Sequence, residues 1–204
     1  MRDRMRTRAG FTLIEALAAI AIMAMAGSVM LLAAQTSLDA TDDAAKQAIA
    51  QGICEQVLDE IMVTRYMESG AAYNQNTLAS DSGETTRQSY DDTDDFNGLS
   101  LQPIRDSYGQ TLGTGNDAEG TRLANFRIDS SFFNKWRLRV DIYYVSSADL
   151  SLRLDNPAVT AGGNLSTTSG YRAAEVTVEY QNSDGSYQTL ATGRRVYAYF
   201  PPPT

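Results

Sequence analysis

Residues 16–34 read ALAAIAIMAMAGSVMLLAA, nineteen positions with no charge and one polar side chain, Ser28. At about 1.5 Å rise per residue a helix of this stretch covers about 28 Å, close to the roughly 30 Å hydrocarbon thickness of a bilayer. It reads as a membrane span. Ahead of it, residues 1–10 carry Arg2, Arg4, Arg6 and Arg8 against one acid, Asp3. Arginines flanking a span stay on the cytoplasmic side, so the N-terminus is expected in the cytoplasm and the remainder of the chain outside.

Helical periodicity continues past the span. Leu38, Ala45, Ile49, Ile53, Val57 and Ile61 recur mostly at four-residue steps, and Ala48, Leu58 and Met62 widen the stripe. Asp42, Asp43, Lys46, Glu55, Asp59 and Glu60 fall off it. No proline occurs before Pro103, so one helix is expected from about Phe11 to about Tyr66, ended before Gly70 and weakest at Gly52. Residues 11–34 form its transmembrane part and 35–66 its amphipathic continuation.

Residues 69–122 are rich in Ser, Thr, Asn, Asp, Gly and Gln and suit an irregular segment hugging the surface. From Trp136 the period becomes two. Trp136, Leu138, Val140, Ile142 and Tyr144 alternate with Arg137, Arg139, Asp141 and Tyr143, which predicts a half-buried strand, and Leu150, Leu152 and Leu154 repeat the pattern. Ala174, Val176, Val178 and Tyr180 predict a third strand, Asp184-Gly185 a turn, and 187–200 a fourth strand stopped by Pro201-Pro202-Pro203. The expected fold is α+β: a long N-terminal helix, transmembrane then amphipathic, packed on an antiparallel sheet within a globular domain of residues 67–204.

Composition excludes several functions. The chain carries a net charge of -8, and the first ten residues hold four of its 17 basic groups, so the remainder is more acidic still. Nucleic acid is not an expected partner, because phosphate binding needs clustered positive charge. There is no histidine, which removes histidine general acid–base chemistry, Ser-His-Asp triads and histidine metal sites. Cys54 is the single cysteine and, at helical spacing among Ile53, Val57 and Leu58, reads as a small buried apolar residue. A hydrolase on an anchor would need paired catalytic groups, and no nucleophile motif is present.

The run Arg8-Ala9-Gly10-Phe11-Thr12-Leu13-Ile14-Glu15, with its basic leader and the apolar helix directly after it, resembles the class III signal of type IV prepilins and type II secretion pseudopilins. The physical reading agrees. An ordinary secretory signal would be cut after the apolar run, near Ala33-Ala34, whereas a cut at Gly10–Phe11 removes the arginines and keeps the helix. The resemblance implies a prepilin peptidase that cleaves there and methylates the amine of Phe11. It also implies other pilin or pseudopilin subunits and an inner-membrane assembly platform as partners, and passage from a single-pass inner-membrane form into an extracytoplasmic filament. Glu15 begins the membrane segment, where an ionisable group marks a functional site, and lies four residues from Phe11 on one helical face. By resemblance it pairs with the N-terminal amine of a neighbouring subunit.

Two departures narrow the expectation. Many major pilins have a kinking proline in the apolar segment and a C-terminal cysteine pair, and this chain has neither, so a minor pilin or a pseudopilin fits better than a shaft subunit. Tyr90-Asp91-Asp92-Thr93-Asp94-Asp95-Phe96-Asn97-Gly98 resembles an acidic loop of minor pilins of the mannose-sensitive haemagglutinin (MSHA) type. Asp91, Asp92, Asp94 and Asp95 leave two readings open, a solvated acidic loop or a calcium site built from carboxylate oxygens, although the run does not match an EF-hand. The tyrosines at 143, 144, 171, 180, 187, 197 and 199 read as strand packing, and Arg194-Arg195 as an exposed pair. A structural subunit, not an enzyme, is the leading expectation, and a membrane-tethered extracytoplasmic binding module is the alternative.

Overall fold

A computed structural model describes residues 12–75, 77–114, 116–117, 120–121, 125, 127–129, 131–154 and 168–201. One helix, α1 (Leu13–Val63), runs unbroken through Gly52. It starts two residues later than the expected Phe11, which itself lies outside the described residues, and ends three before Tyr66. Among the described residues six strands follow: β1 (Ser100–Leu101), β2 (Asn116–Asp117), β3 (Gly120–Thr121), β4 (Trp136–Tyr144), β5 (Tyr171–Gln181) and β6 (Tyr187–Ala198). The chain divides into two units, Met1–Ala45 and Lys46–Thr204, and α1 contributes to both.

In the first unit the described part of α1 is exposed, and Leu13, Ile14, Met23, Met25 and Leu31 each leave most of their surface uncovered. The second unit has one main core. Antiparallel pairing orders the principal sheet β1-β4-β5-β6, and β2 and β3 form a separate small hairpin. Register runs through Val140↔Val176 between β4 and β5 and Val176↔Gly193 between β5 and β6, with a bulge at Val178/Glu179. Alternation puts Trp136, Leu138, Val140, Ile142 and Tyr144 on one face of β4, and all five are buried. Ala174, Val176 and Val178 continue that face on β5.

The helix covers this face. Ala50, Ile53, Cys54, Val57, Leu58 and Ile61 are its buried residues, spaced three and one apart so that they form one stripe. The Cys54 thiol lies 3.5 Å from the carbonyl of Val176, which makes it the packed apolar residue expected. Covering begins later along the stripe than the periodicity suggested, since Leu38 is 71% exposed and Ala50 rather than Ile49 is the first fully buried position.

Two expectations need correction. Leu150, Leu152 and Leu154 are not a strand: residues 146–154 form a turn-rich connection in which Leu150 and Leu152 are exposed and only Leu154 packs on the core. The alternation there is real, but among the described residues no neighbouring strand receives it beyond an isolated bridge between Val145 and Arg153. Residues 69–122 are largely irregular, yet they do more than hug the surface, because Leu78, Phe96 and Ile104 are core residues. They also supply β1, which pairs with β4 through Ser100↔Arg139 and Leu101↔Leu138 and was too short for its period to be read.

Candidate functional sites

The start of α1 is a reciprocal cap. Glu15 N–H donates to the hydroxyl of Thr12 at 3.3 Å, while the Glu15 carboxylate accepts from the Thr12 N–H at 3.1 Å and from the Thr12 hydroxyl at 2.9 Å. Thr-x-x-Glu is the sequence form of this capping box, which satisfies two backbone donors left over at a helix start. In this chain, therefore, Glu15 already has a partner on its own helix. Gly10 and Phe11 lie outside the described residues. Of the described helices, α1 is long and apolar enough to cross a membrane, and its apolar window is uncovered.

The acidic run is not a solvated loop. Asp92, Asp94 and Asp95 are all buried, and residues 94–96 form a short 3-10 turn. Each carboxylate has its own task. Asp92 accepts from the backbone of Asp94 at 2.9 Å, and Asp95 accepts from the backbones of Asp91 at 3.0 Å and Asp92 at 3.1 Å. Asp91 pairs with Arg65 at 3.1 Å on the segment leaving α1. Asp94 turns inward to Arg172 at 3.0 Å and accepts from Gln75 through its other oxygen.

Arg172 is the residue sequence reasoning missed. Its guanidinium is fully buried and donates to the carbonyl of Tyr66 at 2.6 Å, the hydroxyl of Thr93 at 3.1 Å and the hydroxyl of Tyr144 at 3.2 Å. The cation also sits 4.3 Å from the centre of the Tyr66 ring. A signal was present, because Arg172 is in phase with Ala174, Val176 and Val178 on the buried face of β5.

Without Asp94, the remaining carboxylates crowd together. Oxygens of Glu68, Asp91 and Asp92 lie within 4.8 Å of one another, as do those of Glu84, Asp91 and Asp95. Burial, followed by the neighbouring Asp94 and Asp95, pushes the Asp92 carboxyl up to about 8. A hydrogen bond to Asp95, then burial, pushes Glu84 up to about 7. Both groups offer only oxygen donors, the kind that Ca²⁺ takes, and they share Asp91. Glu68 and Glu84 are additions to the set expected from sequence, and Asp94 belongs to neither group.

The tyrosines serve packing and hydrogen bonding within the second unit. Tyr73 stacks on Tyr199 with ring centres 5.1 Å apart, and Tyr144 donates to the carbonyls of Tyr73 and Gln75. Arg194 donates to the Tyr143 hydroxyl at 2.9 Å, and Arg195 pairs with Asp59 of α1, so the two arginines bind within the chain.

Residues 5–31 match the prokaryotic N-terminal methylation motif family. No curated protein and no solved structure matches the chain. The matched segment is the class III signal of type IV pilins and pseudopilins, and it supports a type IV pilin-like or pseudopilin precursor. The motif implies processing by a prepilin peptidase and assembly with other pilins, and with the apolar helix it fits a membrane-anchored structural protein.

Proposed function

We propose that this chain, a carrier of the class III pilin signal, is a minor structural subunit of a type IV pilus or a type II secretion pseudopilus, cleaved between Gly10 and Phe11 and methylated at Phe11. One observation carries the reading: the methylation motif overlaps the start of a helix whose large apolar residues from Leu13 to Leu38 have no cover among the described residues. Such a surface needs lipid or other helices. Before assembly the inner membrane supplies the lipid, with the N-terminus in the cytoplasm and the second unit outside. In the filament neighbouring subunits replace it, and the alanines with Gly27 permit close helix approach.

Glu15 is the recruiting group in this reading, exchanging its Thr12 partner for the new amine of a neighbour. The missing proline and cysteine pair favour a minor pilin or pseudopilin over a shaft subunit, and the 90–98 run favours a minor pilin of the MSHA type. Calcium is the proposed ligand of the carboxylates around Asp91. The test is to shear surface filaments from the native host with and without its prepilin peptidase. The processed chain is expected in the sheared fraction only when the peptidase is present. A processed chain that stays entirely in the membrane would count against a filament subunit and favour the tethered binding module.

A further inference from the structure

The second unit holds a cavity of about 220 Å³, smaller than the roughly 300–1,000 Å³ of a drug-sized site. Tyr90, Leu99 and Leu101 line it with apolar surface, and all three pack on the core. Residues 85–88 and 105–109 supply the rest of the lining. Arg87 ties these two segments together, because it donates to the carbonyl of Arg105 at 2.8 Å and to Glu60 of α1 at 2.9 Å. The second segment is a closed turn, in which the Asp106 N–H donates to the carbonyl of Gln110 at 2.9 Å and the Gln110 N–H donates to the Asp106 carboxylate at 2.8 Å. The cavity is therefore preformed, which spares a ligand the cost of ordering it.

Two opposite charges belong to the lining without meeting each other. Arg65, Arg87, Arg137, Arg153, Arg172 and Arg195 each form an ion pair, whereas Arg105 forms none among the described residues. Arg105 donates from Nη1 to the carbonyl of Gly109 at 2.7 Å, which leaves Nε and Nη2 without a partner there. Those two nitrogens form the edge through which a guanidinium holds a carboxylate by parallel hydrogen bonds. Asp106 receives the Gln110 N–H on Oδ1, and its Oδ2 is likewise unmatched among the described residues.

We propose that this cavity binds a free α-amino acid with an apolar side chain, its carboxylate on Arg105, its ammonium on Asp106 and its side chain against Tyr90, Leu99 and Leu101. An α-amino acid carries both charges on one carbon, so two adjacent residues of opposite charge can hold it. A simple carboxylate would leave Asp106 unmatched and bring it a like charge, and a simple amine would do the same to Arg105. A neutral occupant would draw water from both charges and match neither. The apolar surface then selects among amino acids, because a larger apolar side chain removes more apolar area from water.

The test uses the full chain in a neutral detergent, titrated with leucine, glycine, N-acetyl-leucine and leucinamide and followed by saturation-transfer NMR. Leucine should bind with a dissociation constant of about 1 mM, and glycine and each blocked form about tenfold more weakly or worse. Arg105→Gln should make leucine and leucinamide bind alike, and Asp106→Asn should make leucine and N-acetyl-leucine bind alike. Both variants should keep the wild-type melting temperature, since Arg105 is exposed and asparagine still accepts the Gln110 N–H. The proposal is overturned if leucine does not bind, if glycine or either blocked form binds as tightly as leucine, or if neither variant changes the order of the four ligands. None of these results bears on the filament reading, because the cavity lies outside the first unit and the methylation motif.

Discussion

The Arg172 guanidinium meets the Asp94 carboxylate at 3.0 Å with their side chains 0% and 6% exposed, which fastens the acidic segment to the buried face of β5. Through Tyr66 and Thr93 the same arginine also holds the chain where it leaves α1. Removing one partner of a buried pair strands the other charge, at a cost of about 3–5 kcal/mol. Arg172→Met should lower stability by that amount in denaturant unfolding of the full chain in detergent. Arg172→Met combined with Asp94→Leu should cost clearly less than the two single changes added together. Additive losses would mean that the two residues act separately.

Gly193 sets how closely helix and sheet approach. A Cβ at this position of β6 would come 2.8 Å from Cδ1 of Leu58 and 3.3 Å from Cβ of Cys54. Gly193→Val should therefore destabilise by about 1–3 kcal/mol through overpacking. Adding Leu58→Ala makes room, so the double variant should recover part of the loss, as read by melting temperature. A Gly193→Val protein as stable as wild type would show that the helix can move aside at little cost.

These two contacts mark what the sequence could and could not reveal. Period-two alternation located β4 at Trp136–Tyr144, because its five inward residues are apolar and its outward ones mostly charged. Leu150, Leu152 and Leu154 show the same alternation, yet among the described residues their stretch pairs only through the isolated Val145–Arg153 bridge, and periodicity alone does not report pairing. The aspartates at 92, 94 and 95 looked like surface because the cation that admits Asp94 to the interior lies 78 residues further along the chain. Glu68 and Glu84 join the carboxylate groups only through folding of the irregular segment. The Thr12–Glu15 cap, by contrast, is local and was present in the motif itself.

Calcium should stabilise the second unit. Carboxylates that share Asp91 repel one another, and an ion bound only by the folded form adds stability that reaches about 2.7 kcal/mol at a hundredfold excess over the dissociation constant. The full chain in detergent should melt at a higher temperature in millimolar calcium than in chelator, and magnesium should do less because it demands stricter octahedral geometry. Asp91→Asn, which touches both carboxylate groups and leaves Asp94–Arg172 intact, should abolish the difference. Equal melting temperatures in calcium and chelator would leave these carboxylates as an acidic cluster held by backbone hydrogen bonds and the Asp91–Arg65 pair.

The mature protein should begin at Phe11. A cut at Gly10–Phe11 removes the basic leader and spares α1 from Leu13 onward. Mass spectrometry of the chain from its native host should find residues 1–10 missing and one methyl group added at the new amine. A mature N-terminus near Ala33-Ala34 would make the segment an ordinary secretory signal and end the pilin reading.

Glu15 has two possible tasks, and one pair of substitutions separates them. In the capping box its carboxylate receives the Thr12 N–H and hydroxyl, a local contribution to the helix start at an exposed position. In the assembly reading the same carboxylate supplies a negative charge to a neighbour's amine, within a medium where unpaired charge is costly. Glutamine accepts the capping hydrogen bonds as glutamate does but carries no charge, whereas alanine does neither. If recruitment depends on charge, Glu15→Gln and Glu15→Ala should both be inserted and processed normally and both be depleted from sheared filaments. If the cap is what matters, Glu15→Gln should assemble like wild type and only Glu15→Ala should fail. The first pattern is expected, because an exposed cap at the first turn is a small part of what holds a 51-residue helix, and the helix remains in place when the cap is lost. Normal incorporation of Glu15→Gln, measured as the ratio of sheared to membrane-bound chain, would remove Glu15 as the recruiting group and leave it as a helix cap.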